Sequence, residues 1–130
     1  MTWSPSPQEV DAVLRQLPKT RYSYFIKRAA DREVLAGAES ATDWLLLGDE
    51  SSEMVPVWPH VDFANVVLDR LSPAHRGSVI SLDEFLNDWL PSIAADNRLL
   101  LVFPDGDGNG VTRQPSELTR DLLAERAQFG

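Results

Sequence analysis

The spacing of the hydrophobic residues changes twice along this chain, and that change limits the possible folds more than any other feature. Near the N terminus the spacing is helical, with one apolar stripe formed by Val10, Val13, Leu14 and Leu17. Between residues 33 and 59 the apolar runs are short and typical of strands, and helical spacing returns in the second half. Because both kinds of element must bury an apolar face, we expect helices packed against a sheet, the α+β class.

Three short strands are predicted in the middle of the chain, at residues 33–40, 43–50 and 54–59. The polar links between them favour an antiparallel meander, and Pro56, which lacks an amide donor, predicts an edge or a bulge in the third strand. The apolar run 98–103 and its hairpin partner complete a mainly antiparallel sheet of about five short strands. A further extended segment near Val79 has the weakest pattern. We expect a single domain over residues 1–130.

Local capping signals place the helices around these strands. Ser6 and Glu9 are spaced as a capping box, as are Ser81 and Glu84, and Pro91 is expected to kink or end the helix that begins at Ser81. The predicted helices cover residues 7–17, the stretch that follows Thr20, and residues 59–71, 81–91 and 116–129. The resulting order of elements is αα-βββ-α-β-α-ββ-α.

The segment "PDGDGNG" (104–110) matches the first half of a calcium-binding EF-hand loop, with Asp105, Asp107 and Asn109 at ligand positions. The twelfth position, which needs a bidentate Glu, holds a serine, and a strand rather than a helix precedes the segment. Asn109 followed by Gly110 instead favours a type I′ turn in a β-hairpin. We therefore expect a hairpin loop and no metal site.

The charge balance limits the partners that the chain can bind. Twenty acidic residues stand against twelve basic ones, a formal net charge of -8, which disfavours nucleic acid and anionic membranes and is compatible with a basic protein partner. The chain has no cysteine, which excludes disulfides, a thiolate nucleophile and a cysteine zinc site. The first residues lack the pattern of a signal peptide, and no apolar run is long enough to span a bilayer. We expect a cytoplasmic protein.

No catalytic or cofactor-binding motif is present, so we expect no cofactor and favour a non-enzymatic role over an enzyme. The two histidines, His60 and His75, lack the spacing of metal ligands, and His60 falls in the first turn of a predicted helix. Trp58 and Trp89 occupy apolar positions and are expected to be largely buried. Tyr24 lies off the apolar face of its helix, where it could mark a contact surface.

Four sequence segments occur in an order that is similar to a known family. They are "RYSYFIKRAAD" (21–31), "VPVWPH" (55–60), "SLDEFLNDWLP" (81–91) and "LLVFP" (100–104). In these segments the chain resembles the bacterial proteins grouped as domain of unknown function 2750. The resemblance extends from Thr20 to the last helix, so the helix at residues 7–17 is an addition to the family core. It implies a small cytosolic α+β domain and supplies no catalytic residue.

The first functional hypothesis is a protein-binding module of the bacterial cytosol that masks a partner protein, as immunity proteins mask a toxin. It follows from the negative charge and the absence of catalytic motifs. The contact residues would lie in an acidic loop between two predicted strands, formed by Asp49, Glu50 and Glu53.

The alternative hypothesis is a small-ligand binder or an enzyme whose site is assembled from distant residues. A pocket between the second helix and the strand that ends at Trp58 would hold an anionic ligand. The side chains proposed for this site are Arg21, Tyr24, Arg28 and His60. Sequence spacing alone does not show whether these four residues meet.

Overall fold

A computed structural model describes residues 3–49 and 51–128, which form a single α+β domain. The first half contains α1 (Pro7–Leu14), α2 (Pro18–Arg32), β1 (Val34–Glu39), β2 (Leu47–Asp49), β3 (Ser52–Val57) and α3 (Val61–Leu71). The second half contains β4 (Arg76–Ser81), α4 (Leu82–Glu84), a π-helical turn (Phe85–Trp89), α5 (Leu90–Ala95), β5 (Leu99–Val102), β6 (Val111–Arg113) and α6 (Pro115–Arg126). The predicted order is confirmed, with the helix after Ser81 divided into three parts.

The strands form a four-stranded sheet in the order β2-β3-β5-β6 and a two-stranded sheet of β1 and β4. Only β3 and β5 pair in parallel, so the expected mainly antiparallel sheet is confirmed. The predicted three-strand meander is wrong, because β1 pairs along its whole length with β4, from Val34↔Ser81 to Glu39↔Arg76. The weakly patterned segment near Val79 is therefore the true partner of β1.

A backbone bridge between β1 and Trp58, the residue that follows β3, joins the two sheets. The Ala36 amide donates to the Trp58 carbonyl at 2.8 Å, and the Trp58 amide donates to the Ala36 carbonyl at 2.9 Å. The prediction of an edge strand at Pro56 is wrong for β3 as a whole, since β3 lies between β2 and β5. Yet β2 stops at the Leu47↔Met54 pair. Pro56 therefore faces the gap between β2 and β1, where no amide donor is required.

The core fills the space between the sheets and the helices, where α3 packs against β1 and β4, and α2 and α5 pack against α6. Its fully enclosed aromatic side chains are Phe25, Trp58, Phe63, Phe85 and Phe103. The expected burial of Trp58 is confirmed, and its indole Nε1 donates to the Pro104 carbonyl at 3.0 Å. Trp89 is only half-buried, because it faces a groove described below.

The helix at residues 7–17 is shorter than predicted and ends at Leu14, with Arg15 as its C-cap. The Ser6 side chain caps it by accepting from the Glu9 amide at 3.1 Å. Leu17 therefore does not continue the apolar stripe. It is the N-cap of α2 and 74% exposed.

The helix that begins after Ser81 continues through Pro91 instead of ending there. In the π-helical turn that precedes the proline, the Leu90 amide donates to the Phe85 carbonyl, five residues back. Such a widened turn accommodates the missing proline amide and the bulk of the ring. The helix ends at Ala95, after which Asn97 adopts a left-handed φ of 57° and the Arg98 amide donates to the Ile93 carbonyl at 3.0 Å.

The loop between β5 and β6 is the predicted hairpin connection, but its turn type differs from the prediction. Gly108 has a positive φ of 83°, whereas neither Asn109 nor Gly110 does, so the expected type I′ turn is wrong. One Asp105 side-chain oxygen, Oδ1, accepts from the amides of Asp107 and Asn109, both at 3.0 Å. This carboxylate closes the loop in place of a tight two-residue turn.

Among the helices that the structure describes, none combines the length and the apolarity that crossing a lipid bilayer requires.

Candidate functional site

A groove of about 380 Å³ lies between the turn after β1 and the helical segment 85–95. Its apolar wall is formed by Trp44, Leu46, Val55, Trp89 and Ile93. Its polar rim is formed by Asp88, Ser92, Asp96 and Arg98. The groove thus combines two tryptophans with a rim that carries two carboxylates.

The short turn after β1 places Trp44 on the groove. The Ser40 amide donates to the Asp43 carbonyl at 2.8 Å, and the Ser40 hydroxyl donates to the Asp43 carboxylate at 2.9 Å. The chain thereby reverses, and Trp44 forms a backbone bridge with Glu39. Gly37 leaves the room for the indole, because a Cβ there would lie 3.2 Å from Trp44 Cζ3. The turn at residues 40–43 thus brings the Trp44 ring back against Gly37 of β1.

A Ser–His–Asp contact fastens this turn to the end of α3. The Ser72 hydroxyl lies 2.9 Å from His75 Nδ1, and His75 Nε2 lies 3.3 Å from Asp43 Oδ1. The nitrogens are used in the opposite sense to a catalytic triad, where the serine contacts Nε2 and the aspartate contacts Nδ1. The contact holds Asp43, and with it the neighbouring Trp44, in place.

The two indoles at the groove form an aromatic pair that remains open to solvent. The rings of Trp44 and Trp89 meet edge to face at a centroid distance of 4.4 Å. Trp89 Nε1 donates to Glu84 at 3.3 Å, which fixes the second ring. Trp44 is 39% exposed and Leu46 is 37% exposed. Large apolar side chains that are exposed together commonly mark an interaction surface.

The rim of the groove carries more negative than positive charge. Arg98 pairs with Glu53 at 3.3 Å and with Asp96 at 3.0 Å. Asp88 makes no ion pair with a residue that the structure describes. Three carboxylates, those of Glu53, Asp88 and Asp96, therefore lie on or beside the groove, against the one guanidinium of Arg98.

Of the three acidic residues predicted to contact a partner, Glu53 lies beside this groove through its ion pair with Arg98. Asp49 belongs to β2, but its side chain lies outside what the structure describes. Glu50 falls outside the described residues altogether. The sequence reasoning missed Trp44, Asp88 and Arg98, since nothing in their spacing indicates that 40–46 and 85–98 meet.

Arg21, the first residue of the alternative ligand site, is 2% exposed, and its guanidinium donates hydrogen bonds to backbone carbonyls. It donates to Phe103 at 3.0 Å, to Asn109 at 2.7 Å and to Gln16. Burial lowers the pKa of the guanidinium, and the Asp105 carboxylate, 3.8 Å away, opposes that shift. Arg21 ties the link between α1 and α2 to the β5–β6 hairpin and presents no surface to a ligand.

Tyr24 and Arg28 do lie together, on the side of α2 that faces Glu9 of α1. The Arg28 guanidinium lies 5.2 Å from the centre of the Tyr24 ring, and the Tyr24 hydroxyl donates to the Glu9 carboxylate. Burial and that hydrogen bond raise the pKa of Tyr24 to about 12. The ring also packs against Phe63 at 5.7 Å, so Tyr24 joins α1 and α2 to the core.

His60 is the N-cap of α3, and its Nδ1 accepts from the Asp62 amide at 3.0 Å. Of the four residues proposed for the ligand site, only His60 lines a cavity of about 270 Å³ between the end of α2 and the residues after Trp58. Trp3 and Arg32 line the same cavity. No motif or periodic pattern points to Trp3, which stands before the first helix.

In the described part of the chain, the side chains that could act as metal ligands are dispersed or already paired. Within residues 3–49 and 51–128, no group of three or more His, Asp and Glu side chains is arranged to hold a metal ion. Asp105 and Asp107, the residues of the calcium-like pattern, are engaged by other groups. Asp105 closes its own loop, and Asp107 pairs with Arg70 at 2.7 Å.

The chain matches a protein-family model. Neither the curated proteins nor the solved structures contain a match to this chain. A family model described as "Protein of unknown function (DUF2750)" matches residues 22–122, which begin within α2, end within α6 and exclude α1. Because this match covers most of the chain, the protein belongs to the DUF2750 family.

Proposed function

We propose that this protein is a non-enzymatic, protein-binding module whose contact surface is the groove between Trp44 and Trp89. The observation that carries the proposal is the edge-to-face pair of indoles, 4.4 Å apart and open to solvent. Tryptophan is enriched among the residues that dominate binding energy at protein interfaces. A groove of this kind accepts an apolar side chain from a partner.

The surroundings of the groove favour a preformed site. Ser40 and His75 hold Asp43, while Glu84 holds the indole of Trp89. A side chain that is already fixed loses little conformational entropy when a partner binds. The groove therefore requires little rearrangement to act as an interface.

The charge of the rim supports the proposal of a basic partner. Asp88, Asp96 and Glu53 outnumber Arg98, and the whole chain carries a formal net charge of -8. Asp49 and Glu50, which stand before Ser52 in the sequence, stay proposed contact residues on the strength of their charge alone. A negative field accelerates encounter with a positively charged protein and repels nucleic acid and anionic membranes. The occupant is a segment in which Lys or Arg flanks an apolar residue.

The biological role proposed for this interaction is the masking of a basic partner in the bacterial cytosol, in the manner of an immunity protein. The family match assigns no activity, so the support for this role is the groove and its charge.

The proposal is tested by site-specific photo-crosslinking in the native host. A photoreactive phenylalanine analogue at Leu46, which lines the groove, should crosslink to a defined protein through a segment that contains Lys or Arg. The matched control is Val66 on α3, which is 51% exposed and does not line the groove. Equal crosslinking from both positions, or a contact segment without basic residues, would contradict the proposal.

Purified proteins then separate the apolar and the charged contributions. Trp44→Ala should weaken binding by about tenfold or more, the effect of losing one interface hot spot. Glu53→Gln and Asp88→Asn should slow association more than they speed dissociation, and added salt should have the same effect. An affinity that is indifferent to Trp44→Ala would remove the groove from the interface.

A further inference from the structure

A second cavity, on other elements of the fold, has a composition that suits a small acid. It encloses about 270 Å³ and is lined by Val34, Leu35, Pro59, Val61 and Val79 together with Trp3, Arg32 and His60. Most of the wall is hydrocarbon. The polar side chains on it, those of Trp3, Arg32 and His60, carry N–H donors, and none of them is a carboxylate. We propose that this cavity binds a small carboxylic acid with an apolar, monocyclic or branched body.

Trp3 forms one wall of the cavity and is held from several sides. The guanidinium groups of Arg28 and Arg32 lie 5.1 and 5.9 Å from the centre of its ring. His60 meets the indole edge to face at 5.2 Å. The Ser4 hydroxyl donates to Asp62 at 3.1 Å, which anchors the chain beside Trp3 to the start of α3. The wall is therefore fixed before a ligand arrives.

His60 supplies a hydrogen-bond donor to the cavity. Its Nδ1 accepts from the Asp62 amide, so the neutral ring carries its proton on Nε2. No residue in the described part of the chain accepts a hydrogen bond from Nε2. The side chain of His60 is 14% exposed. A donor with no partner, on the wall of a largely apolar cavity, favours a ligand that brings an acceptor.

Arg32 supplies the positive charge. Its Nε lies 3.4 Å from Asp31, an exposed pair of neighbouring residues at the end of α2. Neither terminal amino group of the guanidinium donates to a residue that the structure describes. These two groups form the planar fork that matches a carboxylate. The cavity is at the small end of the size range of ligand sites, which favours a compact acid over a nucleotide.

This site is independent of the proposed protein interface, since the two share no lining residue. It also differs from the four-residue site predicted from the sequence, of which it contains only His60. Trp3 lies outside residues 22–122, which the family model matches. The cavity is thus completed by a segment that precedes the matched region.

The test uses phenylacetate and its neutral counterpart phenylacetamide, followed by nuclear magnetic resonance of the indole N–H groups. The Trp3 signal is assigned from its loss in Trp3→Phe. Titration to roughly 10 mM is sufficient, since ligands of this size bind in the millimolar range. Phenylacetate should shift the Trp3 signal in a saturable manner and leave the Trp58 signal in place. Phenylacetamide should bind about tenfold more weakly or not at all, because it lacks the negative charge that Arg32 recognises.

Variants locate the binding to the proposed donors. Arg32→Gln should weaken phenylacetate binding about tenfold. His60→Asn keeps an N-cap acceptor for α3 and removes the Nε2 donor, so it should weaken binding while the fold is retained. Arg120→Gln, on an arginine that is 71% exposed on α6, is the matched control and should bind as the unmodified protein does. Equal binding of acid and amide, an unchanged affinity in Arg32→Gln, or no shift of the Trp3 signal would overturn the proposal.

Discussion

The indole rings of Trp44 and Trp89 meet edge to face with their centroids 4.4 Å apart. Trp44 comes from the turn after β1, and Trp89 comes from the π-helical turn that precedes Pro91. Neither element alone forms an aromatic groove. The contact therefore depends on two local features, the small residue under the first indole and the widened helical turn that presents the second.

Substitution of Gly37 tests the first of these features. A Cβ at this position would lie 3.0 Å from Ile80 Cδ1 and 3.2 Å from Trp44 Cζ3. Gly37→Ala should displace the Trp44 ring and move the indole N–H resonances of Trp44 and Trp89, at a cost to stability of about 1–2 kcal/mol. Gly106→Ala is the control, since its Cβ would meet only the flexible, exposed side chain of Arg70. Unchanged indole resonances in Gly37→Ala would mean that the ring is positioned by other contacts.

Trp58 and Trp89 should differ sharply in their effect on stability. Trp58 is fully enclosed and donates to the Pro104 carbonyl, so Trp58→Ala should lower the free energy of unfolding by about 3–5 kcal/mol. Trp89 is half-buried on the groove, and Trp89→Ala should cost about 1–2 kcal/mol. Denaturant unfolding of both variants measures the difference. A larger loss in Trp89→Ala than in Trp58→Ala would contradict the burial described here.

Arg21 is expected to be a determinant of stability. Its guanidinium is enclosed and satisfies the carbonyls of Gln16, Phe103 and Asn109. Arg21→Met leaves these acceptors without a donor and should lower the free energy of unfolding by about 2–4 kcal/mol. Arg120→Met, at an exposed position, should change it by less than about 0.5 kcal/mol. A mild effect of Arg21→Met in urea unfolding would show that water replaces the guanidinium.

Sequence pattern predicted the order of the elements because each depends on local residues. Ser6 caps α1 and Ser81 caps α4 as their spacing indicated. The pairing of the strands could not be predicted from local residues. The segment at 76–81 has a weak pattern of its own, and it becomes a full strand only because β1 supplies a partner along its whole length. Long-range pairing of this kind is decided by packing rather than by local propensity.

The candidate sites depend still more on long-range contacts. Arg21 and His60 are both predicted to bind a ligand, yet backbone carbonyls occupy the Arg21 guanidinium and His60 Nδ1 caps α3. Trp3 and Arg32 meet His60 only in the folded chain. Nothing in the spacing of Trp44 and Trp89 indicates their contact. Residue type alone does not distinguish an arginine that binds a ligand from one that closes a loop.

Calcium should leave the stability of the protein unchanged, in spite of the pattern at residues 105–110. Asp105 Oδ1 is occupied by two loop amides, and Asp107 pairs with Arg70 at 2.7 Å. The positive charge of Arg21 also lies 3.8 Å from the Asp105 carboxylate. A ligand that binds only the folded state raises the melting temperature of the protein as its concentration increases. Calorimetry with millimolar calcium, with magnesium as the control ion, should show no such rise.

The two tyrosines of the chain should both ionise at unusually high pH. Burial is the larger cause for each, and a hydrogen bond to a carboxylate adds to it, from Tyr22 to Asp121 and from Tyr24 to Glu9. Together these effects raise the pKa of each phenol from the usual 10 to about 12. Because the chain contains no other tyrosine, ultraviolet titration of tyrosinate in the folded protein should show no transition near pH 10.

The same shifts determine how stability depends on alkaline pH. The folded state holds the phenolic protons more tightly than the unfolded state, so their contribution is fully present below pH 10 and is lost as the pH rises through about 12. At a fixed urea concentration, the fraction of unfolded protein should therefore rise steeply between pH 10 and about pH 12. Tyr22→Phe and Tyr24→Phe should each flatten that dependence, because phenylalanine has no proton to lose. Arg113 contacts the Tyr22 hydroxyl at 3.2 Å and favours its ionised form, so Arg113→Gln should move the Tyr22 transition to still higher pH. A transition near pH 10 for either tyrosine would show that its hydroxyl is open to water in solution.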